Sequence, residues 1–441
     1  MAGTQTWRSS AGFVLAAIGS AVGLGNLWRF AYLASTGGGA AFVVLYLLVV
    51  VFVGVPLLLA ELAMGRGTSQ GALLAPAAVG GPRFRWLGGM FVATGFLILA
   101  YYAVIMGWTL RYVADTALGL VPADTGRWFG EVATGPAAVA WHVLGMAMTV
   151  AIVAGGLRGG IERAGIVLMP VLFVLIAALA IWAATIPGGE AGYAFYLRPR
   201  ADEVFHLGTL TRAVGQAFFS LSLGMGAMLT YASYLPRGGN LVRQGFVIAF
   251  SDTAVAIVGG LVTFPIVHAF GLASTVGESS VGALFIALPA GFNALGPVTG
   301  RVVGVAFFVT LFIAAITSAI SLLEVVVAGA TARLGWSRRR AAVLAGAAIT
   351  LAGVPAALDL GWLGVLDQVA GNVMLVLGGL VLSLLAGWSW RDATAELADG
   401  FPHPRAARVW LWLLRVFVPA LLVPVGFVAV QGAVEAIRAF L

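Results

Sequence analysis

The sequence predicts an all-α, polytopic membrane protein, and three observations carry that expectation. Of its 441 residues, 61% are hydrophobic and only 9% are charged, where a soluble domain carries about 25%. The apolar residues fall into runs of about 20 or more, the length a helix needs to cross the hydrocarbon of a bilayer. The connections between the runs alternate in arginine content, as loops on the two sides of a membrane do.

Spans are expected at residues 10–33, 39–65, 86–118, 139–156, 165–185, 209–235, 242–270, 302–332, 340–358, 363–388 and 408–434, eleven in all. One set of connections holds Arg8, Arg66, Arg83, Arg85, Arg158, Arg163, Arg237, Arg243, Arg333, Arg338, Arg339, Arg340, Arg391, Arg405 and Arg408. The other set is poorer in arginine and diluted by Asp115, Asp124, Glu131, Glu190, Asp202 and Glu203. This pattern puts the N-terminus in the cytoplasm and, after eleven crossings, the C-terminus outside. The 271–300 connection is long and partly apolar, so a structured extracellular cap is expected, a helical hairpin being one form of it.

Composition also excludes chemistry. The chain has no cysteine, hence no disulfide, thiolate metal site or cysteine nucleophile. All 24 basic residues are arginine and the net charge is +7, but charge on membrane loops does not imply nucleic acid, and none is expected as a partner. No cleavable signal peptide is expected, because the first apolar run is too long.

One stretch breaks the rules for a span. Residues 19–30 read Gly-Ser-Ala-Val-Gly-Leu-Gly-Asn-Leu-Trp-Arg-Phe. Gly19, Gly23 and Gly25 weaken the helix at mid-span. Unpaired backbone in hydrocarbon costs several kcal/mol per group, so a break persists only where it lines a cavity or binds something. Glycines for close helix packing would account for Gly19 and Gly23 but not for Asn26 and Arg29, which follow at once. A second interruption stands in span six, where residues 216–226 read Gln-Ala-Phe-Phe-Ser-Leu-Ser-Leu-Gly-Met-Gly. An offset of five spans inverts topology. Residues 1–441 are therefore expected to form a single transporter-type domain. Its two inverted repeats would be 10–185 and 209–388 (a 5+5 fold with discontinuous helices one and six), with an additional span at 408–434.

A helix broken at mid-membrane presents bare carbonyls, which suit a hard monovalent cation, and a half-helix N-terminus, which suits a carboxylate. The side-chain oxygens available to complete such a site are Ser20 and Asn26, Ser220 and Ser222, Ser251, Asp252 and Thr253, and Thr317, Ser318 and Ser321. Ala314, Thr317 and Ser318 share one helix face, a set a sodium site would use; back-bonding of the hydroxyls to the preceding turn is the plainer alternative. Asp252 is an intramembrane carboxylate whose partner would be a bound cation or a proton. Arg29 and Asp367, at outer-facing depths of spans one and ten, are placed to close above the site as a salt bridge, or else to snorkel at span ends.

These residues resemble the neurotransmitter:sodium symporter family, in its bacterial amino-acid transporter branch. The resemblance rests on residues 19–30 with the Gly-Gly-Gly-Ala-Ala-Phe at 37–42, on residues 56–66 (Pro-Leu-Leu-Leu-Ala-Glu-Leu-Ala-Met-Gly-Arg), and on 217–226 with the Thr-Tyr-Ala-Ser-Tyr at 230–234. It covers nearly the whole chain. It implies sodium-driven uptake of an amino acid by alternating access in a bacterial inner membrane, with two sodium sites and no organic cofactor. The first site would use the Ala21 carbonyl, Asn26, Ser220, Asp252 and the substrate carboxylate. The second would use the carbonyls of Gly19, Val22 and Ala314 with the hydroxyls of Thr317 and Ser318.

The resemblance also implies a substrate pocket around the break at Ala21, Gly23, Leu24 and Gly25 with Ser220 and Ser318. Tyr102 and Phe219 would line and cover the substrate, and Ile98, Ser222, Met225, Ser321 and Leu322 would meet its side chain. Arg29 and Asp367 would form the outer gate. Gly23 stands where monoamine carriers have an aspartate, so a neutral, hydrophobic or aromatic amino acid is expected. Asp252 stands where chloride-dependent relatives have asparagine, so chloride independence is expected; protonation of Asp252 on sodium release would add proton antiport. Gly160 and Pro170 in span five resemble a helix-unwinding motif of some bacterial members. The family's inner-gate ion pair is missing, since Thr4 and Ala332 stand at its positions. That leaves Trp7, Tyr231 and Tyr234 with packing, or Arg8 as a substitute.

Three rival readings remain. A non-transporting amino-acid receptor on the same scaffold would carry an added signalling domain, and the termini here are short. A channel fits paired mid-span breaks less well than an occluded site. An intramembrane enzyme finds no support in His142, His206, His268 and His403, which are scattered near span ends without metal-ligand spacing.

Overall fold

The computed structural model describes residues 5–198, 207–273, 283–398 and 403–441. His206, Thr4, Asp202 and Glu203 lie outside the described residues, as does the middle of the 271–300 cap. The described chain is helical, without strands. We number its principal helices α1 (Ser10–Ala21), α2 (Gly25–Thr36), α3 (Ala40–Thr68), α4 (Pro82–Leu118), α5 (Pro136–Ala154), α6 (Leu157–Ala183), α7 (Leu207–Ser220), α8 (Ala227–Ala232), α9 (Leu241–Ala269), α10 (Thr299–Leu334), α11 (Arg338–Leu358), α12 (Leu360–Ser389) and α13 (Pro404–Phe440). Nine of these are individually long and apolar enough to cross a membrane. The α1–α2 pair, bent by 48°, makes a tenth if counted as one span.

Local chemistry sets several starts. Ser9 Oγ accepts from Gly12 N–H at 2.9 Å and Asn240 Oδ1 from Arg243 N–H at 2.8 Å. Asp359 Oδ1 accepts from Gly361 N–H at 2.7 Å. Each side-chain oxygen satisfies an amide that the first helical turn leaves orphaned. Pro82, Pro136 and Pro404 occupy first-turn positions, where proline's missing N–H costs nothing. At the other end of α4, Gly119 takes φ +71°, a left-handed cap.

The long helices α4 and α10 pack on each other, while α6, α9 and α10 pack around α1. Burial grades outward: 78% of the central window of α10 is buried, against 28% for α6 and for α13. The outer helices stay apolar on their exposed faces, as lipid contact requires. Trp410 fixes α13 to α3 by donating its indole N–H to the Pro56 carbonyl at 2.9 Å.

One expectation changes here. Span five does not unwind between Gly160 and Pro170. It opens with a wide π-type turn (Leu157–Glu162) and then continues as helix to Ala183, with Pro170 inside. A Cβ at Gly160 would meet the Ile152 carbonyl at 1.9 Å, so this glycine serves close packing. Of the cap, the described part is a turn at Ala283–Ala287 and a helix at Leu288–Ala294 packed on α10.

Candidate substrate and ion site

Both predicted breaks are present, and they face each other. Between α1 and α2 the helix opens at residues 22–24; between α7 and α8 it opens at 221–226, all six residues buried. The first break satisfies its amides by short reaches: Gly23 N–H donates to Asn26 Oδ1 at 2.9 Å and Leu24 N–H to the Tyr102 hydroxyl at 3.0 Å. Gln216 donates from Nε2 to the Gly25 carbonyl at 2.8 Å.

The second break needs a different device. Ser222 (φ +54°), Gly224 (φ +78°) and Gly226 (φ +71°) all take left-handed backbone. The amides so turned are collected by Glu61 of α3, which accepts from Gly224 N–H at 2.9 Å and Leu229 N–H at 3.2 Å. A serine in this region is strained by roughly 1–3 kcal/mol, and its hydroxyl is held by donating to the Ser20 carbonyl at 2.8 Å.

Two oxygen clusters flank the first break. In one, Asn26 Nδ2 donates to Asp252 Oδ1 at 2.7 Å and to Ser220 Oγ at 3.0 Å, while Ser220 Oγ donates to Asp252 Oδ2 at 2.6 Å. All three are at most 1% exposed, and the Tyr46 hydroxyl stands 3.3 Å from Ser220 Oγ. In the other, Ser318 Oγ lies 3.4, 3.2 and 3.4 Å from the carbonyl oxygens of Gly19, Ser20 and Val22. Ser222 already serves the Ser20 carbonyl, and the one Ser318 proton cannot serve both the Gly19 and Val22 carbonyls, so this cluster has an acceptor to spare that a hard cation would satisfy. Thr317 back-bonds to Ile313 and Ala314, as the plainer alternative held.

Ala21, Gly23, Gly25, Asn26, Ile98, Tyr102, Phe219, Ser220, Ser222, Met225, Ser318 and Leu322 line one cavity of about 20 Å³. At about 20 Å³ it has room for about one water, so anything larger enters only if lining side chains such as Met225 move. Ser321 and Leu24 lie outside this lining; Ser321 Oγ instead donates to the Ser318 carbonyl at 2.8 Å. The glycines are spatially required. A Cβ at Gly23 would stand 2.6 Å from Ser318 Oγ, and one at Gly25 would stand 2.6 Å from the Phe219 ring.

On one side Phe219 closes the cavity beneath Arg29, whose guanidinium lies 5.1 Å from the ring centroid. Arg29 Nη1 is 3.9 Å from Asp367 Oδ1, Nη2 donates to Asn372 Oδ1 at 2.5 Å, and the Tyr101 hydroxyl donates to Asp367 at 2.9 Å. The two expected gate charges are thus brought together.

On the opposite, arginine-rich side the expectation needs correcting. Trp7 is buried, donates its indole N–H to the Tyr231 carbonyl at 2.8 Å, and meets Phe13, Tyr231 and Tyr234 edge-on. Packing is not all that holds it. Glu324, fully buried on α10, accepts from the Tyr234 hydroxyl at 2.6 Å and pairs with Arg338 of α11 at 2.5 Å. Arg8 does not act as a substitute: its side chain is exposed, and only its backbone N–H engages, donating with Ser9 N–H to Glu162 at 2.9 and 3.2 Å. Ala332 is exposed.

Glu61, Tyr46, Gln216, Glu324 and Glu162 are the site's unforeseen members. The visible signal was a carboxylate inside a span, which applied to Glu61 and Glu324 as much as to Asp252. Among the described residues no cluster of acidic and histidine side chains could hold a metal. His142 is buried with Nε2 3.0 Å from the Thr350 carbonyl.

Comparison with known proteins agrees with this geometry. The model of the sodium:neurotransmitter symporter family matches residues 4–127 and 131–434. The chain is 36% identical over 439 residues to the uncharacterized sodium-dependent transporter YhdH of Bacillus subtilis (strain 168), covering 94% of this chain and 95% of that protein. It is 26% identical over 481 residues to the sodium- and chloride-dependent glycine transporter 1 of Xenopus laevis, covering 90% and 74%. The crystal structure of MhsT in complex with L-phenylalanine superposes with a TM-score of 0.89 at 40% identity, covering 97% of this chain and all of that one. The chain belongs to the sodium:neurotransmitter symporter family, a family of transporters and not of enzymes.

Proposed function

We propose that this protein is a sodium-coupled symporter of a neutral, hydrophobic or aromatic amino acid, working by alternating access and without chloride. The observation that carries the reading is the pair of facing helix breaks enclosing one cavity between two oxygen clusters. Sodium at the Asn26–Ser220–Asp252 cluster, with the Ala21 carbonyl, would neutralise the buried carboxylate and meet the substrate's own carboxylate. A second sodium beside Ser318 and Thr317 would serve the carbonyls of Gly19, Val22 and Ala314. The complex of MhsT with L-phenylalanine supports an aromatic or apolar substrate, as do Ile98, Met225 and Leu322 in the cavity wall. The resident carboxylate of Asp252 supports chloride independence.

Closure from both sides supports an occluded state: Arg29, Asp367 and Phe219 toward one face, Trp7 with the Tyr234–Glu324–Arg338 network toward the other. We read α7–α8 as an eleventh crossing, because a wholly buried break joins its halves. With α1–α6 and α7–α12 this gives two inverted repeats, and α13 is the added span. Arginine distribution supports a cytoplasmic N-terminus.

The test is uptake of a radiolabelled amino-acid panel into proteoliposomes, with sodium, potassium or choline outside and gluconate replacing chloride in parallel. Accumulation that needs sodium and ignores chloride is expected. A chloride requirement would overturn the charge argument at Asp252, and saturable binding without accumulation across a maintained sodium gradient would favour a receptor.

A further inference from the structure

We propose that the α3–α9–α13 groove is a binding site for an anionic phospholipid, with one acyl chain in an apolar slot and the phosphate between Arg405 and Arg408. The slot, about 620 Å³, is walled by Val55 and Leu59 of α3, Phe246 of α9 and Leu413 of α13; its lining is apolar apart from His403, which stands beside Pro404 at the arginine-bearing end. It is far roomier than the 20 Å³ cavity at the helix breaks. Along α13 it reaches from Pro404 to Leu413. At 1.5 Å per residue that is about 14 Å, close to half of a bilayer's roughly 30 Å hydrocarbon core. A slot one leaflet deep, opening at an arginine-bearing end, fits a lipid tail entering from that leaflet.

The mouth supplies the charge. Arg405, Arg408 and Trp412 stand at i, i+3 and i+7 on one face of α13. They line an open cavity of about 330 Å³ that shares Val409 with the slot. Both arginines are exposed, and neither forms an ion pair among the described residues. Some arginines on this side are engaged, Arg66 with Glu396 and Arg338 with Glu324, whereas Arg333 and Arg339 are exposed like Arg405 and Arg408 but line no apolar slot. Two unpaired guanidiniums beside a one-leaflet apolar slot are the arrangement in which basic pockets between membrane helices hold anionic headgroups. Guanidinium pairs suit phosphate by their planar, multidentate donors.

Native mass spectrometry of the delipidated full-length protein tests this. It would be titrated with phosphatidylglycerol and with phosphatidylcholine of identical chains. Phosphatidylglycerol adducts are expected at roughly thirtyfold lower lipid concentration than phosphatidylcholine adducts, two arginines contributing about 1 kcal/mol each. Arg405→Ala with Arg408→Ala should erase that preference, whereas the equally exposed pair Arg333→Ala with Arg339→Ala should leave it. Ala406→Phe, which fills the slot, should weaken both lipids. An unchanged preference in the Arg405/Arg408 variant overturns the proposal. So does displacement of phosphatidylglycerol by equal concentrations of glycerol phosphate, which would make this a phosphate site without a lipid tail.

Discussion

The two helix breaks look alike in sequence and are built in opposite ways. Between α1 and α2 three residues leave the helix, and carbonyl oxygens are left in excess: those of Gly19 and Val22 share the one proton of Ser318, while Ser222 serves that of Ser20. Between α7 and α8 six residues leave it, and the surplus is of amides, gathered by the carboxylate of Glu61. An excess of carbonyls invites a cation from solution, whereas an excess of amides has been met by an anion that the protein carries itself. On the proposed reading, the first break is the one that would take an ion, while the second is a frame that Glu61 fixes in place.

The largest effect expected from this contrast is at Glu61. Glu61→Ala leaves two buried amides without an acceptor, at about 1–3 kcal/mol each, and should abolish uptake together with folded protein on size exclusion. Glu61→Gln keeps an acceptor and should fold with a lowered melting temperature. If Glu61→Ala were as stable as the parent, the frame would not depend on this carboxylate.

Next in size is the Glu324–Arg338 pair. Arg338→Ala strands a buried carboxylate, at roughly 3–5 kcal/mol, but at the periphery of the cavity. Deuterium exchange across residues 5–13 should accelerate, and Glu324→Gln combined with Arg338→Leu should restore much of the protection. Acceleration confined to α11 would separate this pair from the closure around Trp7.

Ser318→Ala should be milder and more specific. Folding should be unchanged, while the sodium concentration for half-maximal uptake rises about tenfold, the loss of one oxygen worth ~1.4 kcal/mol. An unaltered sodium dependence would remove Ser318 from the ion path. Smallest of all is Ser222→Gly. Relief of left-handed strain and loss of the bond to Ser20 oppose each other, so the melting temperature should move by the equivalent of about 1 kcal/mol or less.

Much of this was legible in the chain because membrane helices tolerate so few exceptions. Glycine, amide and charge in the middle of an apolar run located both breaks, and the same rule drew attention to Asp252. The pairing of Arg29 with Asp367 followed from two charges at matching depth. Other features were less visible for physical reasons. Glu324 lies inside its span, but Arg338 stands at the start of the next one, where charges usually snorkel, and only the turn between α10 and α11 brings them face to face. Glu61 looks, in one dimension, like a residue near the end of a span, because the amides it serves belong to a helix 163 positions away. Gly160 and Pro170 had the composition of a weak helix, but close contact with Ile152 and a π-type turn keep it continuous.

One peptide unit joins the two oxygen clusters. The carbonyl of Val22 faces Ser318, and the N–H on the other side of that same planar bond, at Gly23, is held by Asn26. Because the unit is rigid, it acts as a crank: turning it toward one cluster turns it away from the geometry the other needs. Two ions bound on either side of this crank would not be independent passengers. An ion on either side would set the angle of the amide plane that the other side meets, so the two sites would be coupled, reciprocally.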